Sequence, residues 1–214
     1  METEDAAQPA TPTIEIARNG NVILVIGPQQ KRIRVCSMVL SNASRYFQAM
    51  FGPHFSEGQG LTFNPADPKE IEMPEDDADA LELVCCIIHV RNDVVPNVLA
   101  PQKLLEFLAT ADKFECLIAM RFIGRIWLSQ QLDGQHRPLK DYAAQIIAAY
   151  VLDHPSSFTK ATWRFIKHWD GSLTDLQLPT AGFDISDNLY WHIIYAITAE
   201  RTRFYTKFVD ILAL

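Results

Sequence analysis

Three residue types that bind metals stand within five positions, Cys85, Cys86 and His89, and Cys116 offers a fourth donor. Tetrahedral zinc needs four nitrogen or sulfur donors converging at about 2.0–2.3 Å. Cys85 and His89 are four apart and share a helix face, but Cys86 points about 100° away. There is no Cys-x-x-Cys pair. Buried free cysteine packs as a small apolar residue, so these residues read as core and no metal is expected. Nucleophilic chemistry finds less support. The chain has no Gly-x-Ser-x-Gly elbow, no His-Glu-x-x-His and no Walker loop. Gly27-Pro28-Gln29-Gln30-Lys31 lacks the glycines that let a backbone cradle phosphate, and the pattern begun by Gly58 and Gly60 is never completed. No catalytic residue and no cofactor are expected, and an enzyme built on the Cys/His cluster is the least favoured reading.

Two charged features have structural explanations. Carboxylates at 75–79 suit the positive end of a helix, in preference to a partner patch. Near the C-terminus, Trp191, Ile194, Tyr195, Thr198 and Thr202 recur at helical spacing and read as core. Arg201, Arg203 and Lys207 beside them suit a helix C-terminus.

The elements that must position any site are clearest from Gly20 to Glu57. Val22-Ile23-Leu24-Val25-Ile26 is a branched apolar run fit for a buried strand. Gly27-Pro28 breaks it, and Lys31-Arg32-Ile33-Arg34-Val35 alternates as a returning half-buried strand. Then the period changes: Val39, Leu40, Ala43, Tyr46, Phe47, Met50 and Phe51 fall at helical spacing, with Ser41 and Ser44 placed for a break and cap between two short helices.

This hairpin and helix pair resemble the BTB/POZ domain, whose pattern of D-V-(apolar)3, then F-x-x-H-K-x-x-L-x-x-x-S-x-x-F-x-x-M-F, has here Asn21-Val22, then Ile33, Cys36, Ser37, Leu40, Ser44, Phe47, Met50 and Phe51. The likeness continues through Glu70-Ile71-Glu72-Met73-Pro74 and Leu104–Phe114, covering about residues 20 to 130. Asn21 replaces the family's usual Asp and Cys36-Ser37 its His-Lys pair, which puts the usual dimer, but not the fold, in doubt. The long spacer before residue 70 and the phrase His89-Val90-Arg91-Asn92-Asp93 look like the BTB proteins of filamentous fungi.

The resemblance implies an α+β fold, a small sheet with helical hairpins, and protein–protein interaction rather than catalysis. In BTB adaptors of cullin-RING ubiquitin ligases, Met-Phe is followed at fixed spacing by an apolar residue, any residue, then Glu. Met50-Phe51-Gly52-Pro53-His54-Phe55-Ser56-Glu57 keeps that spacing. Phe55 is then the anchor, Glu57 a rim contact, and helix 101–113 a further part of the docking face, with a substrate recruited elsewhere. The alternative is a self-associating scaffold, in transcriptional regulation for example, acting through Ile14, Ile16, Asn21 and Cys36. In many BTB dimers an N-terminal strand is exchanged, and Thr13–Ala17 alternates as such a strand would.

Composition sets limits. The chain has 214 residues, 48% of them hydrophobic, so a sizeable core is expected. A net charge of −7 argues against a nucleic-acid partner. Four cysteines, two of them adjacent, do not form a disulfide framework in a chain of this length. No signal-peptide pattern opens the chain, and no apolar run is long enough for a membrane span, so an intracellular protein, cytoplasmic or nuclear, is expected. Asn42-Ala43-Ser44 is a formal glycosylation sequon inside the helical pair and is discounted. Residues 1–18 are expected to be disordered apart from the short strand, 19–131 to form the BTB/POZ domain, and 132–214 a helical extension. Residues 52–69, with three prolines and three glycines, read as a long loop of the functional or mobile kind. A strand is expected at 70–73, and helices from Pro74, from Pro101 to about 113, and at 117–131, 139–152, 156–169 and 187–209.

Overall fold

The computed structural model describes residues 12–132, 137–168 and 187–212, with side chains in the last stretch from Ile194 to Ile211. The disorder expected for residues 1–11 and the side chain of Trp191 lie outside the described residues. The described residues form two compact units, one running up to Val95 and taking in Lys113–Ala119, the other taking in Pro96–Asp112 and the described residues from Met120 on.

The first unit holds a four-stranded mixed sheet, β1 (Thr13–Glu15), β2 (Val22–Ile26), β3 (Lys31–Val35) and β4 (Lys69–Met73), in the order β1-β3-β2-β4. β2 pairs antiparallel with β3 and parallel with β4, so its backbone is bonded on both edges. All five of its side chains are buried. That is why its sequence shows no alternation: a strand covered on both faces is apolar throughout. β3 alternates because only Ile33 and Val35 face inward. Gly27 makes the hairpin turn at φ 69°, a left-handed conformation that glycine adopts without steric cost.

Three helices complete this unit: α1 (Ser37–Ala43), α2 (Arg45–Met50) and α3 (Ala78–Ile88). Ser44 breaks the first pair, as expected. It is extended, and its hydroxyl accepts from Phe47 N at 3.0 Å and donates to Phe114 O at 2.6 Å. Phe114 is buried and stacks on Phe47 with centroids 5.1 Å apart, while Tyr46 meets it edge-on at 5.0 Å. Such ring pairs add about 0.5–1.5 kcal/mol each beyond their burial. α3 starts later than the acidic run suggests. Pro74–Asp76 form a turn, and Asp77 is the N-cap, its carboxylate accepting from Asp79 N and Ala80 N.

The second unit contains α4 (Pro101–Lys113, whose last residue belongs to the first unit), α5 (Leu117–Leu132, from Met120), α6 (Leu139–Val151), α7 (Pro155–His168) and α8 (Asp187–Leu212). α6 is buried on every side from Tyr142 to Ala149, and it packs against α7. A Cβ on Gly124 would lie 2.9 Å from Leu152 Cδ2, so α5 approaches the end of α6 closely. Arg125 fastens that end, donating to Leu152 O and Asp153 O. Phe107 and Trp127 meet edge to face, and Trp127 Nε1 donates to Pro96 O. No helix among the described residues is long and apolar enough to cross a membrane.

Candidate protein-interaction site

The loop after α2 is where the Met-Phe-x-x-x-Phe-x-Glu spacing falls, and its geometry follows from three local causes. Met50 is buried, and Phe51, at the C-cap of α2, stacks on Phe47 at 5.8 Å. These two side chains anchor the base of the loop. Gly58 then folds back onto that base. A Cβ there would lie 1.9 Å from Gly52 O and 2.6 Å from Phe51 C, so only glycine permits the approach. Lys69, at the start of β4, donates its ammonium to Ser56 O at 2.8 Å and Gln59 O at 2.7 Å. Carbonyls that would otherwise face water are thereby bonded to a cation.

Between these attachments the chain turns tightly, with Gly58 N and Gln59 N both donating to Phe55 O. Phe55 itself is 51% exposed. Glu57 is half-exposed and accepts from the Ser56 hydroxyl at 2.8 Å. A backbone N–H, that hydroxyl and the Lys69 charge hold its carboxyl below the ordinary carboxylate range. The loop thus presents an aromatic ring beside a fixed negative charge, the pairing of an apolar anchor with a polar rim found in protein interfaces. Further along, Thr62 O accepts from Asn21 Nδ2, Arg34 donates to Pro65 O, and Asn64 Oδ1 accepts from Ala66 N. The long segment is pinned along its length.

The self-association candidates are placed differently. Ile14 is 36% exposed on β1, an edge strand that pairs parallel with β3. Ile16 is buried. Asn21 is also buried, with its amide engaged inside the unit. Oδ1 accepts from Ser37 N at 3.0 Å, and Nδ2 donates to Ser37 Oγ at 3.0 Å and Thr62 O at 2.8 Å. Cys36 is half-buried at the N-cap of α1 and makes no side-chain cap bond there.

His89 bonds the backbone of the N-cap residue itself. Its Nε2 accepts from Cys36 N at 3.0 Å and its Nδ1 donates to Cys85 O at 2.8 Å, so both ring nitrogens are engaged. Burial lowers its pKa, against the opposing pull of the bond to Cys85 O. Arg91 donates to the carbonyls of Glu15 and Ile16 and forms a two-pronged pair with Asp93. The phrase His89–Asp93 therefore joins α3 to α1 and to β1. All four cysteines are free. Burial pushes Cys85 well above the ordinary thiol range, and Cys86 and Cys116 each up to about 11. Among the described residues no three His, Cys, Asp or Glu side chains converge as a metal site.

Gly58, Lys69 and His89 are the positioning residues that sequence reasoning missed. A glycine seven residues past Met-Phe is a weak signal, and no local pattern marks Lys69 or His89, whose partners lie 10, 13 and 53 residues away.

The BTB/POZ domain family matches residues 17–124, just over half of the chain. The chain belongs to that family, and its domain is a protein–protein interaction module. Comparison with curated proteins returned no match.

Proposed function

We propose that the chain is a substrate adaptor of a cullin-RING ubiquitin ligase, docking on the cullin through Phe55 and Glu57, with Met50 and Phe51 holding the loop's base. The observation that carries this reading is the exposed Phe55 on a loop closed by Gly58 and Lys69. A preset loop loses little conformational entropy on binding, which favours affinity. Residues 19–131 serve as the docking domain and 132–214 as a helical extension available to a substrate. The His89–Asp93 phrase and the long spacer favour kinship with the short BTB proteins of filamentous fungi. Calorimetric titration against the N-terminal domain of the BTB-binding cullin of the same organism tests the proposal. Micromolar or tighter binding, lost in a folded Phe55→Ala, Glu57→Ala double variant, is expected. A folded parent that does not bind retires it.

The second reading, a self-associating scaffold in transcriptional regulation, is favoured by one observation: Ile14 is exposed on an edge strand. Open strand edges accept further strands. Light scattering over a concentration series would read this directly, and a strict monomer would dismiss it.

A further inference from the structure

The interior of the second unit holds two polar side chains whose bonds are not made by the protein. Gln145, on α6, is completely buried, yet neither its Oε1 nor its Nε2 has a hydrogen-bond partner among the described residues. Thr162, on α7, is buried as well, and its Oγ1 is equally without a partner. A helical threonine has a local remedy, donation to the carbonyl four residues back. Thr159, Thr198, Thr202 and Thr206 all take it, to Pro155 O, Ile194 O, Thr198 O and Thr202 O. Thr162 does not. Gln131 Oε1, Glu106 Oε2 and Arg137 Nε also lack a hydrogen bond, but each of those side chains is engaged elsewhere, with Leu99 O, Lys103 and Asp141. Gln145 and Thr162 have nothing. Buried polar groups are almost always bonded, to protein or to ordered water.

The two groups belong to one helix pair. α6 and α7 pack on each other and are joined by residues 152–154 alone, so they run antiparallel. Two contacts fix their register. Tyr142 stacks on His168 at 5.8 Å towards the open end, and His154 N donates to Ala149 O at the closed end. Counting from either end sets Gln145 level with residues 161–165, within one turn of Thr162. Gln145 also follows Tyr142 by three, which keeps it on the side of α6 that meets α7. Its buried neighbours Ala148, Ala149, Ala161 and Phe165 have no polar side-chain atom to offer. The missing partner must therefore both donate and accept. It must be small, because single methyl groups leave little room. It must be neutral, because no charged side chain is buried here to balance an ion. We infer that α6 and α7 enclose an internal hydration site, in which water bonds Oε1 and Nε2 of Gln145 and bridges the amide to Thr162 Oγ1. A satisfied polar pair of this kind holds α7 in one register on α6, since sliding either helix by a turn strands both groups.

A high-resolution crystal structure of the full chain tests this without any substitution. Ordered water within hydrogen-bonding distance of the Gln145 amide and of Thr162 Oγ1 is expected. An amide bonded directly to Thr162 or to another protein group, or a dry site, overturns the inference. A double-variant cycle reads the same site in solution. Gln145→Leu and Thr162→Val each leave the other group without its bridge, so the two changes should couple. The urea midpoint of the double variant should fall by clearly less than the two single shifts together. Additive shifts overturn the inference, because groups with no shared water have nothing to lose twice. So does a midpoint raised by each single change, the mark of polar groups that bond nothing and are better removed.

Discussion

The first unit turns polar residues inward, whereas the end of α8 turns aromatic residues outward. Asn21, Ser37 and Ser44 are buried in the first unit, each bonded to a partner distant in sequence. Phe204, Tyr205 and Phe208 are exposed on α8, with Trp163 and one another as ring neighbours among the described residues. A buried polar group persists only where its bonds are made, so it reports the fold. An exposed aromatic cluster has no such internal justification. Phe55 belongs to the second kind but stands on a scaffold of the first.

The comparison is broken most severely at Asn21. Asn21→Ala removes three hydrogen bonds from a buried site and strands Ser37 N and Thr62 O. A loss of about 2–3 kcal/mol in urea unfolding is expected. Asn21→Asp keeps the acceptor for Ser37 N but lacks the donor to Thr62 O, so its cost should be nearer about 1 kcal/mol. Equal losses would mean that the amide donor is idle.

Gly58→Ala comes next. Its Cβ would meet the carbonyl of Gly52 well inside contact distance, so the loop must open, at a cost of about 2 kcal/mol. Cullin-domain binding should fall with it even though Phe55 and Glu57 are untouched. Unchanged stability and binding would show that loop closure is irrelevant.

Acid pH sharpens the inward side. His89 has a folded pKa below its ordinary 6.5, so the unfolded chain binds its proton first as pH falls. Its contribution is complete above pH 6.5 and declines as pH falls from there towards the lower folded value. The carboxylates with lowered pKa respond only below their ordinary values, 4.5 for Glu57 and Glu70 and 3.8 for Asp93. Urea midpoints measured from pH 7.5 to 5 should fall for the parent, and the His89→Gln variant should lose most of that slope. Parallel slopes would remove His89 from the account.

The smallest effect concerns Val90. After α3, Val90 N donates to Ile87 O and Arg91 N to Cys86 O, a helix-ending motif whose left-handed residue is usually glycine. Val90 occupies it at φ 59° while 73% exposed. Val90→Gly should therefore stabilise the protein by up to about 1 kcal/mol, relief of strain outweighing the added chain entropy. A loss of stability would contradict that balance.

Local patterns were legible. The apolar run of β2, the alternation of β3 and the Ser44 break fall where periodicity puts them, because each depends on neighbours within a few residues. Helix ends were less so. Asp77 takes the cap in place of the residues just before it, and Val90 ends α3 without the glycine that signals such a turn. The bonds that shape the site were not legible at all. Asn21 meets Thr62 across 41 residues and His89 meets Cys36 across 53, distances over which a single sequence carries no pairing signal. The spacing from Met50 to Glu57 identified the loop, whereas what closes it came from backbone approach.

Hydrogen exchange of the full chain with and without the cullin N-terminal domain tests the central claim most directly. The account predicts slowed exchange across residues 52–60 on addition of that domain, with residues 12–16 unchanged. An unchanged loop, or protection confined to 12–16, would contradict it.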